Sequence, residues 1–296
     1  MDSHARSISV MHYIRHLRGG SQPILARASD GHQYVVKFAN NLQGRNLAFN
    51  EAVGSRLYEI CHLSVPDWRP LLVSDRFLDE NQPCWIQTQN GQLRPESGLC
   101  FGSRYLGEEG IRLFEILPGS SFRRVQNLQD FWLAWMIDIC AGHTDNRQAI
   151  FKQQDDGQLS AVFMDHGSMF FGPNGNQRPH LRASAYLDMR IYEEISVHAR
   201  MNLARIAQNL NVGRIWREIE ALPQDWKTDS GLRAFGACLE MLASPRKVQS
   251  VLDTIVELVR KANGPKSIEL QCERRPPASV LFPGIQSAEL GRIAVA

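Results

Sequence analysis

The sequence has no long hydrophobic run. The longest apolar stretch near its middle extends from Phe131 to Ile137 and is interrupted by Asp138, far short of the roughly 18 apolar residues that a membrane-spanning helix requires. Residues 1–20 mix histidine, arginine and aspartate with apolar side chains and lack the apolar core of a secretory signal peptide. We therefore expect no membrane segment and a cytoplasmic protein.

The sequence has few cysteines and no large excess of positive or negative charge. The cysteines stand singly at positions 61, 84, 100, 140, 238 and 272, without the CxxC spacing of a zinc site or the framework of a disulfide-rich domain. The 33 lysine and arginine residues are balanced by 31 aspartate and glutamate residues, so the net charge does not indicate nucleic acid or an anionic membrane. We expect reduced, mostly buried thiols and no direct nucleic-acid partner.

The chain is long enough for two folding units. Its 296 residues, 43% of them hydrophobic, correspond to about two domains at roughly 150 residues each. Strand-like patterns prevail before Pro118 and helical spacing prevails after it. The sequence therefore predicts an α+β fold with an N-lobe built on an antiparallel sheet (1–117), a mainly helical C-lobe (118–262) and a partly ordered, proline-containing tail (263–296).

Local signals indicate where the elements lie. Asp30-Gly31 is typical of a tight hairpin turn between two strands, and apolar residues three to four positions apart predict a helix over 46–62. Periodicity predicts further strands over 70–74, 84–88, 111–117, 149–152 and 161–164, and helices over 187–210, 215–222 and 248–259. The aromatic residues Phe131, Trp132 and Trp135 are expected in the core of another helix.

Lys37 is the first candidate for chemistry. It ends the apolar run Tyr34-Val35-Val36, where strand alternation directs its ammonium to the space between the lobes. Glu51 follows on the predicted helix, and a Lys–Glu pair that holds nucleotide phosphates in register is the arrangement of protein kinases. The alternative is a surface lysine at a strand end and a solvated glutamate.

A glycine pair joins the first two predicted strands, in Arg18-Gly19-Gly20-Ser21-Gln22. Because glycine has no side chain, backbone N–H groups in such a loop can approach a phosphate. Gly19, Gly20, Ser21 and Gln22 are therefore candidates for nucleotide binding. The spacing matches neither GxGxxG nor a Walker loop, so a simple turn is the alternative.

Two aspartates in the second half complete the candidate site. Asp145 lies in a polar loop, residues 142–151, where it can accept a proton from an attacking hydroxyl while an amide side chain downstream coordinates Mg²⁺. Asp165-His166-Gly167 follows an apolar strand, at the position of a metal-binding aspartate. Each motif alone also fits a turn. The order of the motifs along two differently built lobes indicates a common site.

With these motifs the sequence resembles the HipA-like kinases, in particular a small bacterial branch with the protein-kinase-like fold. The similarity covers about residues 8–260, and its marks are residues 18–22, 34–44, 50–51, 65–66, 101–104, 145–151 and 165–167. The resemblance implies ATP and Mg²⁺ as cofactors. It also implies that Lys37 holds the phosphates, Glu51 orients Lys37, Asp145 is the catalytic base and Asp165 binds the metal.

The sequence departs from the kinase pattern at two positions. In the H-R-D-x-x-x-x-N motif of protein kinases an Asn binds metal, but the corresponding residue here is Ile150, so Gln148 or Asn146 would have to substitute. His166 replaces the usual Phe, and a neutral imidazole there can donate to Asp165, contact a phosphate or simply pack. For Arg147, binding a phosphate on the acceptor and pairing with Asp165 are equally compatible with arginine geometry.

We therefore expect a kinase that binds Mg·ATP and transfers the γ-phosphate to a protein hydroxyl of the serine/threonine type. One alternative is a pseudokinase that acts as a nucleotide-binding or protein-interaction module, with an antitoxin-like protein partner as relatives suggest. Ile150 favours this pseudokinase, whereas the presence of Lys37, Asp145 and Asp165 favours the active enzyme. The other alternative is a small-molecule phosphotransferase of kinase fold, which an acidic pocket near Asp145 would support.

Overall fold

The computed structural model describes residues 8–107, 110–192, 206 and 210–263. The N-terminal part of these residues is built on an antiparallel sheet, and the C-terminal part combines helices with a second, small sheet. None of the helices in these ranges is long and apolar enough to cross a membrane. The tail predicted over 263–296 lies outside the described residues, except for Asn263 at the end of a helix.

Seven strands and two helices form the N-terminal part. The strands are β1 (Val10–His16), β2 (Ile24–Ala28), β3 (Gln33–Lys37), β4 (Trp68–Val73), β5 (Ile86–Thr88), β6 (Gly91–Leu93) and β7 (Gly98–Arg104). Five of them lie in the order β1-β2-β3-β7-β4, and β5 and β6 form a separate hairpin. The predicted turn at Asp30-Gly31 joins β2 to β3, with Gly31 at φ +85°.

Helix α1 (Leu47–Ile60) lies against this sheet and also contacts the segment after Asp165. Eleven of its 14 residues are buried, as expected of a helix enclosed on several sides. A Cβ at Gly54 would lie 2.5 Å from Met169 Sδ and 2.6 Å from His166 Cβ. Glycine therefore allows the helix to approach that segment closely. The short helix α2 (Asp75–Glu80) follows β4, and the Ser74 hydroxyl caps it by accepting from Phe77 N.

A second sheet carries the loop of Asp145 and the strand end at Asp165. It consists of β8 (Leu113–Phe114), β9 (Gln148–Gln153) and β10 (Leu159–Met164), in the order β10-β9-β8. The strand predicted over 111–117 as part of the N-lobe is wrong in length and in place. Only Leu113–Phe114 forms a strand, and it pairs with Lys152 and Phe151 of β9. This pairing depends on a strand that lies far along the chain, so the local pattern of residues 111–117 could not predict it.

Four longer helices complete the described C-terminal part: α3 (Asp130–Cys140), α4 (Val212–Glu220), α5 (Asp229–Leu242) and α6 (Pro245–Asn263). Helix α3 is buried almost all round, and Phe131, Trp132 and Trp135 lie in the main core as predicted. The helices predicted over 215–222 and 248–259 correspond to α4 and α6, whereas α5 was not predicted. Most of the helix predicted over 187–210 lies outside the described residues. Five cysteines are buried, and Cys272 lies outside the described ranges.

Candidate functional site

Lys37, Glu51 and Asp165 form one charged cluster. Lys37 ends β3, where its side chain is buried and its ammonium donates to Glu51 Oε1 on α1 and, at 2.8 Å, to Asp165 Oδ1 after β10. The three side chains come from three elements, and Asp165 lies 128 positions after Lys37. Pairing of β3 with β7 fixes the position of Lys37 in the sheet. The structure thus brings together three of the charged residues that the sequence motifs single out.

Glu51 binds the backbone beyond Asp165 as well as Lys37. Its Oε2 accepts from His166 N at 3.1 Å, and its Oε1 accepts from Gly167 N at 3.0 Å. A Cβ at Gly167 would lie 2.9 Å from Glu51 Oε1 and 2.5 Å from a methyl group of Leu47, so this close approach requires glycine. Glu51 therefore ties helix α1 to the segment that carries Asp165.

The charges in the cluster shift one another's pKa values. Burial lowers the pKa of Lys37, but the carboxylates of Asp165 and Glu51 outweigh burial and hold that pKa above its ordinary value. The Lys37 ammonium holds the pKa of Asp165 well below its usual range. Burial raises the pKa of Glu51, and Lys37 opposes that rise. Lys37 and Asp165 are consequently both ionised at neutral pH.

Asp165 and Gln148, two residues predicted as metal ligands, lie side by side. Gln148 Nε2 donates to Asp165 Oδ2 at 2.8 Å. Asp165 has a φ of +60°, a left-handed conformation that glycine, asparagine and aspartate adopt more readily than other residues. Its side chain is 37% exposed, so the carboxylate remains accessible to a ligand. Among the described residues, no three histidine, cysteine, aspartate or glutamate side chains form a metal-binding group.

Asn146, the other predicted ligand, has its amide turned to a different segment. Its Nδ2 donates to the carbonyl oxygens of Ala183 at 2.8 Å and Ala185 at 3.4 Å. Gln148, and not Asn146, is therefore the amide residue that the structure places beside Asp165. Ile150, at the position of the kinase Asn, lies in β9 opposite Val162.

Asp145 lies exposed at the tip of the loop between α3 and β9. The loop begins at Gly142, whose φ is +62°, and buried His143 bonds through Nδ1 to Asp145 O at 2.6 Å. The carboxylate accepts one hydrogen bond from the next amide, Asn146 N, at 2.7 Å. No ion pair of Asp145 occurs within the described ranges. Its carboxylate is therefore available to a group that arrives from solvent.

Arg147 does not pair with Asp165, one of the two roles that the sequence left open for it, and it is not placed to bind a phosphate, the other role. The guanidinium is buried and binds Asp138 on α3 through two hydrogen bonds, of 2.8 Å from Nε and 2.7 Å from Nη2. A third bond, from Nη1 to Met164 O, is 2.8 Å long. Because the guanidinium is buried and these bonds hold it in the core, it is not exposed to a phosphate on an acceptor. It instead joins α3 to the end of β10.

Tyr58 and His166 surround this buried pair. The Tyr58 hydroxyl donates to Asp138 Oδ1 at 2.8 Å, and the Arg147 guanidinium lies 5.0 Å from the centre of the Tyr58 ring. The His166 ring packs edge-on against Tyr58 at 4.5 Å, and burial lowers its pKa well below the ordinary value. Of the three roles open to His166 from the sequence, the structure shows packing.

Asn50 is a residue of the site whose contacts the sequence did not reveal. It is fully buried beside Glu51, and its Nδ2 lies 2.9 Å from Gly167 O, 2.7 Å from Met169 O and 3.2 Å from Gly172 O. Two residues in this stretch, Phe170 and Phe171, have φ values of +54° and +64°. Asn50 therefore binds the carbonyl side of a strained segment whose amide side is bound by Glu51. The sequence signal that could have indicated these contacts is the position of Asn50, a polar residue on an otherwise apolar face of α1.

The glycine loop between β1 and β2 is tied to its neighbours. Gln22 N donates to Gly19 O at 3.0 Å, which closes a turn with Gly19 at φ +136°. Ser21 O accepts from Asn41 Nδ2 at 2.7 Å. The Gln22 side chain donates to Gln87 O and accepts from Gln87 N, both at 2.8 Å. The loop is therefore a fixed turn at the edge of the sheet, next to the segment after Lys37.

Comparison with known proteins identifies similar folds. No family model and no curated protein matches the sequence. The crystal structure of the proinflammatory kinase CtkA of Helicobacter pylori matches with a TM-score of 0.53 and 11% identity, over 84% of this chain and 96% of that chain. The crystal structure of the Golgi casein kinase matches with a TM-score of 0.50 and 10% identity, over 89% of this chain and 77% of that chain.

At such identities the likeness bears on the fold alone. HipA-like kinase membership, which the sequence motifs imply, stays a prediction. The expected architecture is confirmed: the chain has a two-lobed protein-kinase-like fold, with an antiparallel-sheet N-lobe and a mainly helical C-lobe.

Proposed function

We propose that this chain is a HipA-like kinase that binds Mg·ATP and transfers the γ-phosphate to a serine/threonine-type hydroxyl of a protein. The observation that carries the proposal is the single cluster of Lys37, Glu51 and Asp165, contributed by β3, α1 and the end of β10. In kinases a strand lysine paired with a helix glutamate binds phosphates, and a separate aspartate binds the metal. A purely structural salt bridge would not need a second, partly exposed carboxylate.

The residues present fit a magnesium–nucleotide complex. Mg²⁺ prefers oxygen ligands and is commonly held by one or two carboxylates together with phosphate oxygens. Asp165 would supply the carboxylate and Gln148 the neighbouring amide. When bound, the cation neutralises charge that develops on the phosphates. The fixed turn at Gly19 and Gly20 would cover the nucleotide from the N-lobe.

The chain's own residues would act on the acceptor as follows. Lys37 orients the nucleotide phosphates through its ammonium, and Glu51 keeps that ammonium in place. Asp145 accepts the proton of the attacking hydroxyl, since its exposed carboxylate lies on the loop that leads directly into Gln148. Arg147 has no contact with the reacting groups and fixes the loop from the core.

A pseudokinase is the second candidate, and a specific observation favours it. Ile150 stands in β9 where kinases place a metal-binding Asn, and the Asn146 amide is engaged by Ala183. The site then offers fewer oxygen ligands than an active kinase. Such a protein would bind nucleotide or a protein partner, an antitoxin-like one included, without transferring phosphate.

The variants Asp165→Asn and Asp145→Asn separate these candidates. Asp165→Asn should weaken Mg-dependent nucleotide binding together with turnover, because it removes a metal ligand. Asp145→Asn should preserve nucleotide affinity and lower phosphoryl transfer by about 10²–10⁴-fold, as for a lost general base. Asp155→Asn, in the exposed turn between β9 and β10, is the matched control and should change neither quantity.

The assay measures autophosphorylation and ATP hydrolysis with labelled ATP, beside nucleotide titrations. A wild type that binds nucleotide and shows no turnover over many hours is a pseudokinase. A wild type that turns over as fast as Asp145→Asn disproves the role of Asp145 as the base.

A further inference from the structure

Residues 176–187, which we name the acceptor segment, run beside the loop of Asp145. At one end, Thr144 Oγ1 donates to Gln177 Oε1 at 2.7 Å. At the other end, Asn146 Nδ2 donates to Ala183 O at 2.8 Å. Asp145 lies between Thr144 and Asn146, so the acceptor segment contacts the chain on both sides of the proposed base.

The backbone of the acceptor segment is also fixed from the core. The indole of Trp135, buried on α3, donates to Leu181 O at 2.9 Å. Arg147 N donates to Ala185 O at 3.1 Å, and Ala185 and Tyr186 are buried. The positions of the intervening residues are therefore set by the C-lobe, and their side chains are displayed from an anchored backbone.

The acceptor segment displays arginine, histidine and leucine side chains beside the exposed Asn176 and Gln177. Arg178, His180 and Arg182 are exposed, and none has an ion pair or a side-chain hydrogen bond within the described part of the chain. The acceptor segment contains no aspartate or glutamate. Leu181 and Leu187 are 44% and 76% exposed.

Several other arginines of the protein have acidic partners within the described residues. Arg76 pairs with Glu80, and Arg94 pairs with Asp79 at 2.7 Å. Arg178 and Arg182 have no such partner in the described part of the chain, so they leave two positive charges uncompensated on the segment that flanks Asp145.

We propose that the acceptor segment docks an acidic acceptor, namely a peptide with aspartate or glutamate beside the hydroxyl that receives the phosphate. Arginine binds carboxylates through paired hydrogen bonds, and Arg178 and Arg182 lie one residue from the anchoring residues Gln177 and Ala183. An acidic peptide would be repelled by Asp145 unless cations nearby compensated it. Leu181 and Leu187 add apolar contact. The inference rests on the proposed function, since it takes Asp145 to mark the acceptor position.

Binding of labelled peptides tests this docking. Three peptides of equal length carry one serine flanked by glutamate, by glutamine or by lysine, and fluorescence anisotropy measures their affinity for the full chain. The glutamate peptide should bind best, and added salt should weaken it because exposed charges are screened. In the double variant Arg178→Gln with Arg182→Gln, its affinity should fall by about fivefold, the effect of losing two exposed ion pairs.

A matched control removes two exposed arginines elsewhere. Arg233→Gln with Arg246→Gln changes the net charge equally on α5 and α6, and the glutamate peptide should bind this variant as it binds wild type. Equal binding of the glutamine peptide, or an unchanged preference in the Arg178/Arg182 variant, overturns the proposal. Tighter Arg178- and Arg182-dependent binding of a single-stranded oligonucleotide overturns it as well.

Phosphate transfer to the same peptides separates this inference from the proposed function. Binding that depends on Arg178 and Arg182 without any transfer leaves the docking surface in place and contradicts the kinase activity. Equal transfer to the glutamate and glutamine peptides leaves the kinase in place and contradicts the docking surface.

Discussion

Breaking the buried pair of Arg147 and Asp138 should destabilise the protein severely. Both side chains are fully buried, and two of the guanidinium's bonds go to one carboxylate. The variant Arg147→Met leaves the Asp138 charge in the core with only the Tyr58 hydroxyl as a donor among the bonds described. Removing one partner of a buried ion pair costs about 3–5 kcal/mol.

This magnitude translates into a large thermal effect. In proteins of roughly this size 1 kcal/mol corresponds to about 2–4 °C, so the melting temperature should fall by about 6–20 °C. Replacing both partners, as in Asp138→Leu with Arg147→Met, should recover most of the loss, because apolar residues of similar volume can substitute for a buried pair. The free energy of unfolding is measured by guanidinium denaturation, followed by fluorescence of Trp132 and Trp135.

The exposed pair of Arg76 and Glu80 serves as the control. Arg76→Met should leave stability nearly unchanged, since both side chains are mostly in solvent. The reasoning is refuted if Arg147→Met is as stable as wild type. It is also refuted if the double variant loses as much as the sum of the two single variants.

Three further predictions concern the charged cluster and the helix behind it. Mg·ATP at about 100 times its dissociation constant should add roughly 2.7 kcal/mol to the free energy of unfolding, and Lys37→Ala should lose most of the resulting thermal shift; an undiminished shift would remove Lys37 from the phosphate site. Asn50→Asp places a carboxylate against three carbonyl oxygens, so amide hydrogen exchange over residues 167–172 should accelerate. The control is Asn211→Asp at the N-cap of α4, where aspartate caps a helix as well as asparagine does. This control should leave the exchange rate over residues 167–172 unchanged. Because Lys37 holds the pKa of Asp165 below its ordinary value, the stability from that pair is complete above about pH 4 and is lost as pH falls further. Asp165→Asn should therefore reduce the fall of the melting temperature below about pH 4. An unchanged pH dependence of the melting temperature in this variant would contradict the pairing.

Local signals in the sequence were sufficient for much of the fold. Asp30-Gly31 predicts the β2–β3 hairpin because its turn conformation depends on the residues themselves. The helical period over 46–62 likewise predicts α1, and the order of the motifs predicts that Lys37, Glu51 and Asp165 meet. In these cases the determining interactions are close in sequence or follow a known order of elements.

Pairings between distant segments could not be read from the pattern. The two-residue strand Leu113–Phe114 has no alternation of its own, and its place beside Phe151 depends on long-range contacts. Arg147 could pair with many acidic residues of the chain, and only packing of α3 against β9 and β10 selects Asp138. The contacts of Asn50 depend in the same way on backbone groups 117 to 122 positions away.

The cluster of Lys37, Glu51 and Asp165 has a consequence for the order in which ligands arrive. One ammonium faces two carboxyl groups, so the cluster has no surplus of positive charge to attract a triphosphate. A nucleotide without a divalent cation would bring its negative charge directly against Asp165. We therefore expect cation and nucleotide to enter together as one complex, and free nucleotide at low magnesium to act as a poor competitor.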